Sequence, residues 1–116
     1  MRKLIALVAA ALVATAIAFT ANAFAKTVSI KVSDNAFSKS SLTLRKGTSI
    51  HWKWTNTGNE HNVFSEKRPA GAKKIRSGSI STNGDYTYTF RKVGKYRIIC
   101  QAHPFDMVTK VTVKSG

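Results

Sequence analysis

Past residue 26 the chain alternates apolar and polar residues with a period of two, the pattern of half-buried β-strands. Thr27 to Val32 sets Val28, Ile30 and Val32 on one face, and Ser41 to Leu44 repeats the pattern with Leu42 and Leu44. Ser49 to Thr55 places Ile50, Trp52 and Trp54 together, with His51 on the opposite, exposed face. His61 to Ser65 reads as a short strand, followed by Tyr86 to Phe90, Tyr96 to Cys100 and Val108 to Val113, the last with Val111 and Val113 inward. Turn formers separate these runs at Asp34-Asn35, Lys46-Gly47, Asn56-Thr57-Gly58-Asn59 and Val93-Gly94. Glu66 to Gly78 holds Pro69, Gly71 and many basic residues without any period, so it reads as a long excursion between strands. No stretch sustains a helical period. Trp52, Trp54, Phe64 and Phe90 are expected in the core. The prediction is an all-β domain, a two-sheet Greek-key sandwich of about seven to eight short strands.

The first 25 residues have a different character. Arg2 and Lys3 precede an uncharged, alanine-rich run from Leu4 to Phe19, then Ala21-Asn22-Ala23 and Ala23-Phe24-Ala25. This is the layout of a secretory signal peptide, with cleavage expected after Ala23 or Ala25. The run approaches membrane-spanning length, so an uncleaved anchor is the alternative. The two adjacent cleavage patterns favour removal, and with no cysteine after them a lipid anchor is not expected. Residues 26–116 then form a single domain, periplasmic and without stable membrane insertion.

Charge narrows the partners. The chain carries 19 Lys and Arg against 5 Asp and Glu, a net +14; without Arg2 and Lys3 the balance is 17 to 5, or +12. Such a field bears on solubility and on steering of partners rather than on fold. The cations are scattered, densest from Lys67 to Arg76. An acidic redox partner or an anionic surface suits them, and export argues against nucleic acid.

Cysteine usage brings in chemistry. Exported domains use cysteines in pairs, yet Cys100 is the only one here. A buried thiol acting as a small apolar side chain is the plain alternative. Its neighbours favour a ligand: Cys100, His103 and Met107 fall within eight consecutive residues, Cys100-Gln-Ala-His103-Pro-Phe-Asp-Met107, at the end of a strand. Upstream, His61 in Glu60-His61-Asn62-Val63 supplies a second imidazole. A thiolate, two imidazoles and a weak axial thioether form the donor set of a blue-copper electron-transfer site, acceptable to both Cu(I) and Cu(II). Loop or turn positions for His61 and His103, and a core position for Met107, are the alternatives.

These residues, with Phe37, Gly47 before the Trp-rich strand, and Tyr86-x-x-x-Phe90…Gly94-x-Tyr96 leading to Cys100, resemble the cupredoxins: small type I copper proteins of the plastocyanin, amicyanin and pseudoazurin kind. The resemblance spans essentially all of residues 26–116. It implies a copper ion held by His61, Cys100, His103 and Met107, and an Asn62 whose backbone N–H supports the cysteine sulfur. It also implies that electrons enter at the exposed edge of His103, beside Pro104 and Phe105. The spacing C-x2-H-x3-M lies between the amicyanin-like and plastocyanin-like loops, Thr109 stands where glycine is usual, and Asp106 beside Met107 is atypical.

The function expected is a monomeric, exported one-electron carrier, not an enzyme, serving acidic partners such as a cytochrome, oxidase, reductase or dehydrogenase. A copper-binding protein for delivery, storage or resistance uses the same ligands and is the alternative. A copper enzyme would need a second metal centre, and only three histidines exist, two already assigned.

Overall fold

The computed structural model describes residues 26–116. The expected signal peptide at 1–25 lies outside the described residues. Among the described residues eight strands run in order: β1 (Thr27–Ser33), β2 (Ala36–Phe37), β3 (Ser41–Arg45), β4 (Ser49–Trp54), β5 (Phe64–Lys67), β6 (Gly84–Thr89), β7 (Gly94–Ile99) and β8 (Val108–Lys114). They form two four-stranded sheets, ordered β2-β1-β4-β6 and β3-β8-β7-β5. The chain crosses between sheets, so β1 pairs in parallel with β4 and β3 in parallel with β8. Only β1–β2 and β7–β8 are sequence neighbours paired in a sheet. The all-β two-sheet reading is borne out.

The alternation explains the layers. Ile30, Val32, Ile50, Trp52 and Trp54 of one sheet face Tyr96, Ile98, Val111 and Val113 of the other, all buried. Phe90 is also fully buried, edge-on to Tyr88 and Tyr96 with ring centroids 4.9 and 5.0 Å away. Burying one large apolar side chain contributes about 1.5–3 kcal/mol, so this double layer carries most of the fold's stability. Phe64 departs from expectation. It lies half-buried at the start of the edge strand β5, with the Lys74 ammonium 4.9 Å from its ring centre. His51 lies on the outer face as expected, but its Nε2 pairs with Asp85 Oδ1 at 2.6 Å across the β4–β6 ladder.

Two segments differ from the sequence pattern for a shared reason. Residues 61–63 are not regular strand, because their backbone pairs with Ser77, in the excursion, and with Ser81 just beyond it. His61 exchanges backbone bonds with Ser81, and Val63 N–H donates to Ser77 Oγ while its carbonyl accepts from Ser77 N–H. The excursion in turn is no loose loop. Ser65 N–H donates to the Ile75 carbonyl and Ile75 N–H to Ser65 Oγ, which fixes Ile75 fully buried in the core. A single inserted side chain has no period to read.

Gly84 stands opposite Trp54 in the β4–β6 ladder, and the indole of Trp54 occupies the space a Cβ would take. Trp54 is anchored there by its Nε1–H, which donates to the Ser81 carbonyl at 2.9 Å. Gly84→Ala must therefore displace a buried indole. We expect a loss of about 1–3 kcal/mol, as for overpacked cores, read as a lower denaturant midpoint at unchanged slope.

Candidate metal centre

The site is built by a strand register. β5 pairs antiparallel with β7, Phe64 opposite Ile99. Continued towards the open end, that register sets Val63 level with Cys100 and Asn62 level with Gln101. Asn62 makes this explicit: its Oδ1 accepts from Gln101 N–H at 2.8 Å, and its Nδ2 donates to Gln101 Oε1 at 2.7 Å and to the Gly78 carbonyl at 3.1 Å. The pair ties the His61 segment to the start of the Cys100 loop. His61 then faces that loop, fully buried.

The loop from Cys100 to Met107 is closed by its own backbone. His103 N–H donates to the Cys100 carbonyl, Met107 N–H to the His103 carbonyl and Cys100 N–H to the Met107 carbonyl, all at 3.0–3.1 Å. Cys100 and Met107 are fully buried, His103 is half-buried, and Phe105 at the loop tip is 90% exposed. Thr109, where the resemblance expected glycine, is fully buried and its Oγ1 donates to the Lys39 carbonyl. The departure thus tethers β8 to the segment before β3.

Three of the four expected ligands meet. His61 Nδ1 lies 3.9 Å and His103 Nδ1 3.8 Å from Cys100 Sγ, and the three donor atoms all lie within 4.8 Å of one another. The imidazole centres are 5.2 Å apart and tilted by 47°. With metal–thiolate and metal–imidazole bonds near 2.3 and 2.0 Å, as in zinc sites, trigonal angles require sulfur–nitrogen separations of about 3.7 Å. The observed pair fits that spacing. A cysteine sulfur beside two imidazoles is a donor set that suits copper or zinc among first-row ions. Met107 is fixed in the core at the loop's end, and its backbone bonds to both Cys100 and His103.

Two contributors were not foreseen. Gln101, the partner of Asn62, could have been found by drawing the antiparallel register past the strand ends. Asp34 could not, since the Asp34-Asn35 pair reads simply as a turn. In the structure Asn35 takes a left-handed φ of 64° at the β1–β2 turn, a conformation asparagine tolerates. Asp34 accepts from Gly58 N–H at 2.9 Å, from Asn59 N–H at 2.8 Å, and lies 3.1 Å from His61 Nε2. The Asn59 N–H, then His61 and the Gly58 N–H, hold its carboxyl below the ordinary carboxylate range.

The sequence matches the family described as Cupredoxin-like domain over residues 3–113. The chain belongs to the cupredoxin-like family. No match was found among curated proteins. Among solved structures this cupredoxin is similar to a pseudoazurin from Methylobacterium extorquens AM1, at 26% identity and TM-score 0.62 over 75% of this chain and 74% of that one. It is also similar to an amicyanin variant in its reduced Cu(I) form at pH 4, at 24% identity and TM-score 0.60 over 76% and 82%. An oxidised amicyanin variant gives 22% identity and TM-score 0.61 over the same shares. The cupredoxin fold and the small blue-copper kind expected from the sequence are borne out.

Asn62 is 2% exposed, and its carboxamide joins its segment to Gln101 by two hydrogen bonds. Asn62→Ala leaves the Gln101 N–H without that acceptor, for which we expect a loss of about 1–3 kcal/mol. Equilibrium unfolding in urea measures it.

Proposed function

We propose that this cupredoxin is an exported, monomeric one-electron carrier whose copper is held by His61, Cys100, His103 and Met107. The observation that carries this reading is the convergence of Cys100 Sγ with the Nδ1 atoms of His61 and His103 at metal-ligand spacing. When bound, copper supplies the one-electron Cu(II)/Cu(I) couple. The protein's residues do the rest. Buried His61, Cys100 and Met107 keep water away from the donors, and the self-bonded loop limits rearrangement of the ligands between oxidation states. His103 is the ligand with an exposed edge, and Phe105 beside it offers a partner an apolar contact. The periplasm as location and removal of residues 1–25 belong to the same reading, supported by the layout of the N-terminal segment.

Adding Cu(II) to the purified apoprotein tests the reading. We expect one copper per chain, an intense visible thiolate-to-copper band and a type I EPR signal, all lost in Cys100→Ser. A colourless protein that holds only Cu(I) and passes it to an acceptor would instead favour the delivery role. Met107→Leu keeps core volume, a change that costs under about 1.5 kcal/mol. The variant should fold, so a shifted potential and altered band ratio would report a lost axial ligand, and unchanged values would remove Met107 from the set.

The basic field gives a further expectation. With +12 over residues 26–116, electron exchange with an acidic partner should slow as salt rises. Between about 0.01 and 0.15 M the Debye length contracts from about 30 to about 8 Å. Stopped-flow rates across that range should fall steeply; a flat profile would exclude steering by charge.

A further inference from the structure

The carboxylate of Asp34 is built into a clamp against a ligand of the metal centre. Its Oδ2 accepts from Gly58 N–H and its Oδ1 from Asn59 N–H, at 2.9 and 2.8 Å. Gly58 permits this approach, since a Cβ there would stand 2.8 Å from Oδ2. So the β1–β2 turn is strapped to the loop that leads into His61. The same Oδ1 lies 3.1 Å from His61 Nε2, on a ring with no exposure to solvent.

An imidazole has two nitrogens, and an ionised carboxylate can only accept. Nε2 must therefore be the nitrogen carrying hydrogen towards Asp34. Nδ1, 3.9 Å from Cys100 Sγ, is left with its lone pair facing the donor cluster. A carboxylate behind a ligating histidine fixes tautomer and ring orientation and makes the imidazole a stronger donor. Its negative charge also favours the more highly charged oxidation state of whatever ion the ring binds.

We propose that Asp34 is the positioning residue of this metal centre: it holds His61 with Nδ1 towards the donors and, through its charge, biases bound copper towards Cu(II). The proposal rests on the carrier reading above for copper, while its geometric half concerns the protein alone. Asp34 touches neither the thiolate nor the ion. It acts through His61.

The test uses the full protein with two variants. In the apoprotein, ¹⁵N-resolved NMR of the His61 ring should show a single Nε2–H tautomer in the wild type and a mixture in Asp34→Ala. In the copper-loaded protein, Asp34→Ala should bind Cu(II) about 10–100-fold more weakly. Asp34→Asn keeps an acceptor oxygen for Nε2 but loses the charge, and is the variant to rely on if the alanine form does not fold. It should shift the ratio of Cu(II) to Cu(I) affinity about tenfold towards Cu(I), a rise in potential of about 59 mV for one electron. A merely structural contact would lower stability and leave that potential unmoved. A wild-type His61 with hydrogen on Nδ1, or an Asp34→Asn potential equal to the wild type, overturns the proposal. An Nε2–H tautomer in a wild-type protein that takes up no copper would uphold the positioning and sink the carrier reading instead.

Discussion

The antiparallel register of β5 on β7 is the constraint on which the metal end depends. With Phe64 opposite Ile99, the residues beyond both strands converge: Asn62 meets Gln101 and His61 reaches the loop that starts at Cys100. Strand side chains alternate between faces, so a slip by one residue would exchange every inward side chain for an outward one. Ser65 would then leave its pairing with Ile75, and His61 would turn from the donor cluster. Local bonds guard against that slip on both sides of Phe64. The Asn62 carboxamide pins the loop side, and the Ser65–Ile75 exchange pins the other, just before the ladder becomes irregular between Ser65 and Lys67.

The same bonds account for a site that is ordered by the protein itself. Three backbone hydrogen bonds close the Cys100–Met107 loop, and the Asp34 carboxylate lies 3.1 Å from Nε2 of His61, the candidate ligand that comes from elsewhere in the chain. Ordering a flexible ligand set on binding opposes affinity, and a set already in place avoids that cost. For an electron carrier the gain is double, since ligands that cannot move far also keep the two oxidation states alike. Rigidity comes from the sandwich at little expense: Val63, Cys100 and Met107 are members of the apolar core as well as neighbours of the site.

How much of this was legible follows from what leaves a periodic trace. β1, β3, β4, β6, β7 and β8 announced themselves by alternation, whereas β5 (Phe64–Lys67) overlaps the expected His61–Ser65 strand only at Phe64 and Ser65. The lone Cys100 with His103 and Met107 close behind it pointed to metal chemistry. β2, at two residues, is too short to show a period. Ile75 enters the core from an irregular segment, held by side-chain-to-backbone bonds that no spacing predicts. His61 was found by its chemistry but assigned to a strand, because Val63 and Phe64 look like strand residues while their backbone partners, at Ser77 and Arg76, lie in that same irregular segment. Asp34 was hidden more completely: its turn-forming role accounts for it fully in the sequence, and only folding brings it 3.1 Å from His61.

Charge is distributed unevenly between the two sheets and the Cys100–Met107 loop. The outer face of the β3-β8-β7-β5 sheet carries Arg45, Lys67, Lys95, Arg97, Lys110 and Lys114 against Glu66, whereas the other sheet's outer face carries Lys31 and Lys53 against Asp85. Arg97 stands opposite both Lys110 and Lys67 in the ladder, and like charges so placed are destabilising. The Glu66–Arg97 ion pair at 2.8 Å offsets only part of this. A fold that tolerates such repulsion is not using these charges for stability, and together they project a positive field from this face. Around His103 the chain is different, with Pro104 and an exposed Phe105 and a single acid, Asp106. A carrier must arrive quickly and leave quickly. In the carrier reading proposed above, long-range charge on the sheet face would speed encounter with an acidic partner, and the small apolar tip beside the half-buried His103 would limit the contact to a brief one.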